Sequence, residues 1–228
     1  ANTGWGAPPV ANSEFVPIYK TTNGSDNWFK VGTINTNLGM PAITESYLYS
    51  ISFINSNTGW ACGAAHWWIP QYGNGYYGIL CKTTDGGLNW VTNEISSSYA
   101  YDIKFIDINT GWAVGSDIGT IIKTTNCGVN WFSQPCSGNL KNIHIEPVNH
   151  YVVYILSRRN LTQNYYILKT TNGGNNWTEI FVANYLGYYN LSFVNELTGW
   201  ICGEAGRILA TTDGGYTWLN QVTPTNNN

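Results

Sequence analysis

From Tyr101 to Pro135 the chain reads YDIKFIDINTGWAVGSDIGTIIKTTNCGVNWFSQP, an alternation of short apolar runs with clusters of turn-forming residues. The runs Ile103–Ile106, Gly111–Gly115 and Thr120–Thr124, and a fourth starting at Trp131, are each too short for a helix. They are rich in β-branched and aromatic side chains and bounded by Asp, Asn, Ser and Gly, which is the pattern of short strands. The links Asp-Ile-Asn-Thr, Ser-Asp-Ile-Gly and Asn-Cys-Gly carry turn chemistry. The stretch therefore predicts four antiparallel strands, A to D. The same order recurs in ISFINSNTGWACG with GILCKTTDGGLNW, and in LSFVNELTGWICG with RILATTDGGYTW. Another copy, NIHIEPVNHYVVYIL, keeps the strands without the TGW triplet.

The link between strands C and D is the most constant part. It appears five times, as KTTNGSDNW (Lys20–Trp28), KTTDGGLNW (Lys82–Trp90), KTTNCGVNW (Lys123–Trp131), KTTNGGNNW (Lys169–Trp177) and ATTDGGYTW (Ala210–Trp218). Its tryptophans, Trp28, Trp90, Trp131, Trp177 and Trp218, lie 62, 41, 46 and 41 residues apart. A four-stranded unit recurring every forty-odd residues predicts an all-β fold, a β-propeller of about five blades in a single domain spanning 1–228. The repeats fall at about 1–48, 49–99, 100–140, 141–187 and 188–228. Five copies of one phrase are architectural rather than catalytic. Asp85 and Asp213, and Asn23, Asn126 and Asn172 in the other copies, are placed to accept backbone N–H bonds across the turn. Glycine supplies a positive φ, and the tryptophan gives the outer strand apolar area to bury.

The phrase T-x-[DN]-x-G-x-x-W resembles the Asp-box of bacterial neuraminidase repeats, with Asn23, Ser25, Asn126 and Asn172 as departures. With TGWxxG two strands earlier, the unit is most similar to the repeats of the photosystem II stability and assembly factor family and its secreted bacterial relatives. That resemblance implies a propeller fold. It would also imply a lumenal or periplasmic protein with a membrane-protein partner, but members of that family look seven-bladed. Their basic partner-binding surface has no counterpart in a chain with ten Lys and Arg.

Closure is unusual. The chain opens in strand B of the first repeat, so that blade lacks strand A. Either the blade is incomplete, or upstream residues belong to it, or a neighbouring molecule donates the strand and self-association follows. A fragment of a larger propeller is the alternative to five blades.

Only 10% of residues are charged and the net charge is −3, so there is no basic footprint for nucleic acid. No apolar run is long enough to span a bilayer, and the opening ANTGWG is no signal peptide. The Asn-, Tyr- and Trp-rich, Lys-poor composition points to an oxidising compartment: secreted, cell-surface or periplasmic. Cys127 and Cys136 flank a short stretch and could form a disulfide, and Cys62 and Cys81 lie on neighbouring strands and could pair too. The alternative for Cys62, Cys81 and Cys202 is a small buried hydrophobe. With no CxxC pair and no ligand spacing among His66, His144 and His150, neither a metal nor a cofactor is expected.

Function is sought where the copies differ. The B–C and D–A connections share one face, and loops on a rigid scaffold carry binding. Three B–C connections are long: Gly6–Pro17, Ala64–Gly78 and Ser157–Tyr166. The second holds His66, Trp67, Trp68, Tyr72, Tyr76 and Tyr77, and the D–A connections add Tyr47, Tyr49, Tyr99, Tyr185, Tyr188 and Tyr189. Rings with a polar edge beside Asn and Gln suit a sugar, whose C–H faces pack on rings while its hydroxyls bond amides. The opposing reading folds Trp67 and Trp68 inward as a plug. An extracellular glycan is the expected ligand of a lectin-like binding module, and a protein partner or self-assembly is the alternative. Sialidase chemistry needs three arginines from separate blades, whereas the chain has only Arg158, Arg159 and Arg207. Other glycoside hydrolases need paired carboxylates, and nothing marks a pair among Glu14, Glu45, Glu94, Asp117, Glu179 and Glu204.

Overall fold

In the computed structural model the described residues are 3–8, 10–11, 13–24, 26–39, 42–71, 73–95, 98–116, 120–136, 140–159, 162, 164–183 and 187–221. They form five antiparallel sheets in chain order. The first takes β1 (Gly4–Gly6), after which the chain leaves for β2 (Val10–Ala11) and returns as β3 (Phe15–Thr21) and β4 (Phe29–Asn35). The second is β5 (Ile43–Phe53), β6 (Gly59–Ile69), β7 (Gly73–Thr83) and β8 (Val91–Ile95), with β2 laid along β5 as a fifth strand. The third is β9 (Ala100–Phe105), β10 (Gly111–Gly115), β11 (Ile121–Thr124) and β12 (Phe132–Ser133). The fourth is β13 (Leu140–Pro147), β14 (Val153–Arg159), β15 (Tyr165–Thr170) and β16 (Thr178–Ala183). The fifth is β17 (Tyr188–Phe193), β18 (Gly199–Gly203), β19 (Ile208–Thr211) and β20 (Leu219–Asn220).

Among the described residues the first sheet has three strands and no strand A, as the sequence implies. The lead strands β5, β9, β13 and β17 pack side by side in succession and form the inner wall. Among the described residues, sheets pack closely only on their neighbours in chain order, and no such packing joins the fifth sheet to the first. Four apolar clusters fill the spaces between successive sheets, one for each interface.

Two long connections are shorter than the sequence suggests. Residues 64–69 and 73–78 are not loop but the ends of β6 and β7, paired from Gly59↔Thr83 to Ile69↔Gly73. The alternation of Ala64, His66 and Trp68 with Ala65 and Trp67 continues the pleat of GWACG, so the strands simply run on. Likewise β14 and β15 take in both ends of Ser157–Tyr166, as far as Arg159 and from Tyr165. Within Gly6–Pro17, β2 pairs Val10 with Ser46 and Ala11 with Glu45.

One aromatic arrangement repeats at the sheet interfaces. The TGW tryptophan of one sheet lies flat on the lead-strand phenylalanine of the next. Trp5 stacks on Phe53 at 3.8 Å and Trp60 on Phe105 at 3.5 Å, while Tyr154, standing in for the tryptophan, stacks on Phe193 at 3.7 Å. The box tryptophan then meets the same phenylalanine edge-on: Trp90 on Phe53, Trp131 on Phe105 and Trp218 on Phe193, at 5.8–6.0 Å. The box lysine covers the other side, with Lys20, Lys82, Lys123 and Lys169 over Trp5, Trp60, Trp112 and Tyr154 at 4.9–5.9 Å. Two of these ammonium groups also donate to the next sheet's box, Lys123 to the Gly173 carbonyl at 2.8 Å and Lys169 to that of Gly214 at 3.2 Å. The glycine of TGW has a steric reason. A Cβ on Gly59, Gly111 or Gly199 would stand 2.6–2.7 Å from the ring of Phe53, Phe105 or Phe193. In the fourth sheet the phenylalanine position is Pro147 and its partner is Val153, so glycine disappears where the ring does.

Each box closes the same way. The hydroxyls of Thr21, Thr83, Thr124, Thr170 and Thr211 donate to Asn23, Asp85, Asn126, Asn172 and Asp213 at 2.8–3.0 Å. The Asx oxygen also accepts the backbone N–H four residues on, at Asn27, Asn89, Asn130, Asn176 and Thr217. Cys127 takes the left-handed turn position, φ 63°, that Gly24, Gly86, Gly173 and Gly214 hold elsewhere.

The expected disulfide does not form, and none of the five cysteines is joined to another. Cys127 packs with Trp60 and Phe105 and accepts a hydrogen bond from Lys82 at 3.0 Å, whereas Cys136 packs with the cluster around Trp112 and Leu140. The two belong to interfaces on opposite sides of the third sheet. Cys81 lies opposite Ala61 rather than Cys62, so Cys62 and Cys81 enter different clusters.

Two outcomes follow. Phe105→Ala is expected to lower the urea-unfolding free energy by about 3–5 kcal/mol, while Phe132→Ala on the exposed outer strand changes it by less than about 0.5 kcal/mol. Asp85 and Asp213 are both held down to about 2, Asp85 chiefly by the Asn89 backbone N–H and Asp213 chiefly by the Thr217 hydroxyl. Their contribution to stability is complete above the ordinary value of 3.8 and disappears as pH falls towards about 2. A double Asp85→Asn/Asp213→Asn variant, copying the other boxes, should show a flatter loss of stability over that window in acid titration.

Candidate functional site

The six residues expected to bind in the second repeat divide between the faces of the β6–β7 hairpin. Trp67 packs against the Val16, Ile18 and Ile79 cluster between sheets one and two, with its ring against Gly75. Tyr77 is buried and donates its hydroxyl to the Thr36 carbonyl at 2.7 Å. Both serve the core. Trp68 is 47% exposed on the opposite face, and Tyr72 lies outside the described residues. The rings of His66 and Tyr76, cross-strand partners, lie 4.4 Å apart at a tilt of 35°, and the His66 Nδ1 meets the Thr44 hydroxyl at 2.6 Å.

From that pair an aromatic row crosses to the next sheet. Tyr76 lies 4.8 Å from Tyr99, Tyr99 stacks on Tyr101 at 5.7 Å, Tyr101 lies 5.5 Å from Tyr49, and Tyr49 stacks on Tyr47 at 6.2 Å. Lys141 of the fourth sheet sits 4.6 Å above the Tyr101 ring, and Tyr47 donates to Glu45 at 2.6 Å. Six rings from two sheets thus form one strip bounded by an ammonium and a carboxylate. Tyr49 and Tyr76 are exposed and the other rings are half-buried. Burial, followed by the neighbouring Tyr101, pushes the Tyr49 hydroxyl up to about 12. Burial and Tyr76 raise Tyr99, and the hydrogen bond to Glu45 raises Tyr47. The hydroxyls remain neutral at ordinary pH, able to donate and to accept.

The sequence reading singled out Tyr47, Tyr49, Tyr76 and Tyr99 but passed over Tyr101 and Lys141. The spacing Tyr47-x-Tyr49 and Tyr99-x-Tyr101 was the available signal, since alternate residues of a strand share a face. Of the other D–A tyrosines, Tyr188 is buried against Tyr165, Tyr189 is exposed and donates to Glu204, and Tyr185 lies outside the described residues.

The carboxylates weighed for catalysis are engaged separately. Asn37 donates to Glu14 at 2.6 Å, Arg159 pairs with Glu179 at 3.1 Å, Glu45 takes Tyr47 and Glu204 takes Tyr189. Asp117 is outside the described residues, and Glu94 lines a groove of about 590 Å³ between the outer strands of sheets two and three. Arg158 and Arg159 lie on β14 and Arg207 just before β19, so the arginines fall on two sheets. A buried pair escaped the sequence reading altogether. The carboxylate of Asp102 meets His144 Nδ1 at 2.7 Å and accepts the Ile145 N–H at 3.1 Å. Burial opposes ionisation of Asp102, yet the bond from His144 leaves its carboxyl below the usual value. This pair bolts the inner strands β9 and β13 together.

No family model and no curated protein sequence matches the chain. Solved structures do. YCF48 from Cyanidioschyzon merolae matches with a TM-score of 0.56 at 14% identity, over 91% of this chain and 69% of that one. A GH74 enzyme from Niastella koreensis matches at 0.61 and 17% identity, over 96% of this chain but 37% of that one. A Hadza microbial sialidase matches at 0.58 and 15% identity, over 95% of this chain and 55% of that one. The likeness is one of fold: the chain is a β-propeller repeat protein of the kind these share.

Truncating the two adjacent tryptophans should separate their roles. Trp67→Ala is expected to cost about 1.5–3 kcal/mol in urea unfolding and Trp68→Ala less than about 0.5 kcal/mol.

Proposed function

We propose that this propeller is a binding module, not an enzyme, and that the row His66–Tyr76–Tyr99–Tyr101–Tyr49–Tyr47 engages an extracellular glycan. The observation that supports it is the row itself: contiguous, partly exposed rings, five of them bearing hydroxyls, carried on β5, β6, β7 and the start of β9 of a rigid scaffold. Pyranose rings present apolar C–H faces and a rim of hydroxyls. The tyrosine faces take the former, while the tyrosine hydroxyls, Glu45 and Lys141 take the latter. A strip of several rings suits an oligosaccharide better than a single sugar. A sialidase and a GH74 xyloglucanase from Xanthomonas campestris share the fold, which supports a sugar ligand without assigning one. Separate engagement of the carboxylates favours retention of the ligand over its cleavage. The same composition that favours strands, poor in Lys and rich in Asn and Tyr, supports a secreted, cell-surface or periplasmic setting.

A glycan-array screen of the chain beside Tyr76→Ala, Tyr99→Ala and Trp68→Ala tests the reading. The expected result is binding by the parent, a loss of about tenfold or more for either tyrosine variant, and little change for Trp68→Ala. Silence across the array with all proteins folded by circular dichroism, or binding indifferent to both tyrosines, overturns it.

A further inference from the structure

Two cations on the fourth sheet stand apart from the rest. Lys20, Lys82, Lys123 and Lys169 cover the TGW position at the sheet interfaces. Arg159 is committed to the Tyr166 hydroxyl at 2.9 Å and to Glu179 at 3.1 Å. Lys141 and Arg158 do neither. They stand directly opposite each other in the β13–β14 ladder, one step from the end of its register. Opposed residues of an antiparallel pair share a face with their Cβ atoms about 4.5–5.5 Å apart, and like charges so placed repel. Both are half-buried, and among the described residues neither is paired with a carboxylate. A chain with only ten Lys and Arg thus sets two of them together with no acid between them.

Lys141 is also the ammonium that lies 4.6 Å above the Tyr101 ring. The negative face of the ring holds the charge in place and offers no lone pair, which leaves the N–H donors of the ammonium for an acceptor from outside. The second-sheet side of the row is acidic instead. Glu45 accepts from Tyr47 at 2.6 Å and stands opposite His66 in the β5–β6 ladder. The row therefore has a polarity, running from a carboxylate on sheet two, across the tyrosines, to two cations on sheet four. A neutral sugar chain has no use for that polarity, whereas a chain bearing an anionic group does.

Resting on the glycan reading above, we propose that the site takes an acidic oligosaccharide and that Lys141 and Arg158 together bind its anionic group, a carboxylate or a sulfate. One anion between the two side chains removes their mutual repulsion and supplies the counter-charge that the ladder lacks. The guanidinium of Arg158 offers a planar fork of donors and Lys141 a point charge, a combination that fits an oxyanion with two or three exposed oxygens. Glu45 repels a second anionic group at the far side, so the ligand lies with its acidic residue towards sheet four and its neutral part on the tyrosines. Lys141 and Arg158 are thus specificity-determining residues, and Arg159 beside them is structural.

The test is an array of uronate-, sialate- and sulfate-bearing oligosaccharides, each printed beside its carboxyl-reduced or desulfated counterpart. It is read with the parent chain, Lys141→Gln, Arg158→Gln, Lys141→Arg and Tyr99→Ala, each checked for folding by circular dichroism. The expected result is that the parent binds the acidic member of a pair about tenfold or more tightly than its neutral counterpart. That preference falls about tenfold in Lys141→Gln and in Arg158→Gln, persists in Lys141→Arg, and weakens as salt is raised. Whether carboxylate or sulfate arms respond identifies the anion. Equal binding of acidic and neutral members, or a preference that survives both glutamine variants, overturns this proposal. If Tyr99→Ala still abolishes that binding, the glycan reading stands without it. Silence across every arm with folded proteins overturns both.

Discussion

Three of the four described seams in this propeller hang on a flat aromatic ring, Trp5, Trp60 or Tyr154, lying against a phenylalanine of the next sheet. A four-stranded sheet has two faces to bury, and in a radial array each can be buried only against a neighbour. The Trp60–Phe105 contact at 3.5 Å joins two such faces at a fixed separation. Much of what the repeat conserves is in service of that contact. The glycine of TGW clears room for the ring, the box tryptophan backs it from the edge, and the box lysine covers the indole and ties it to the next turn. The box aspartate or asparagine then holds the turn that aims the tryptophan and the lysine.

Seen this way, the sheet that breaks the pattern is informative. At the seam between sheets three and four, Pro147 and Val153 replace the ring and its glycine, so that seam relies on other means. The aliphatic cluster of Ile145, Val153, Ile155 and Leu168 fills the space around Trp112, and the buried Asp102–His144 pair links the inner strands. A polar bond between desolvated partners gives directional hold where stacking is missing.

The repeat, the turn chemistry and the missing strand were legible because they are local: alternating runs, Asx-Gly turns and a regular tryptophan spacing each show in a few consecutive residues. The functional strip was legible only in part. Tyr49 and Tyr99 announce themselves as ring-bearing residues, but that Tyr101 and Lys141 complete the strip depends on the packing of β9 between β5 and β13, a contact across blades. The stretch AAHWWIPQYGNGYYG looked like a loop because its glycines and proline outweigh its alternation, yet Trp67 and Tyr77 buried on one face carry the strands onward. The cysteine pairing failed for a related reason. Nearness in sequence says nothing about which side of a sheet a residue faces, and Cys127 and Cys136 serve different interfaces.

The excursion of β2 out of the first sheet has a consequence for how the molecule comes apart. Because Val10 and Ala11 are pinned to the inner strand of the second sheet while the residues on either side belong to the first, the two sheets are stitched by covalent chain as well as by packing. Neither can detach without tearing the other's ladder, so they form a single cooperative block. Among the described residues the fifth sheet packs closely on one neighbour, and no strand of it crosses into another sheet. A chain of nearest-neighbour contacts with one end sewn and the other stacked is expected to open first at the stacked end.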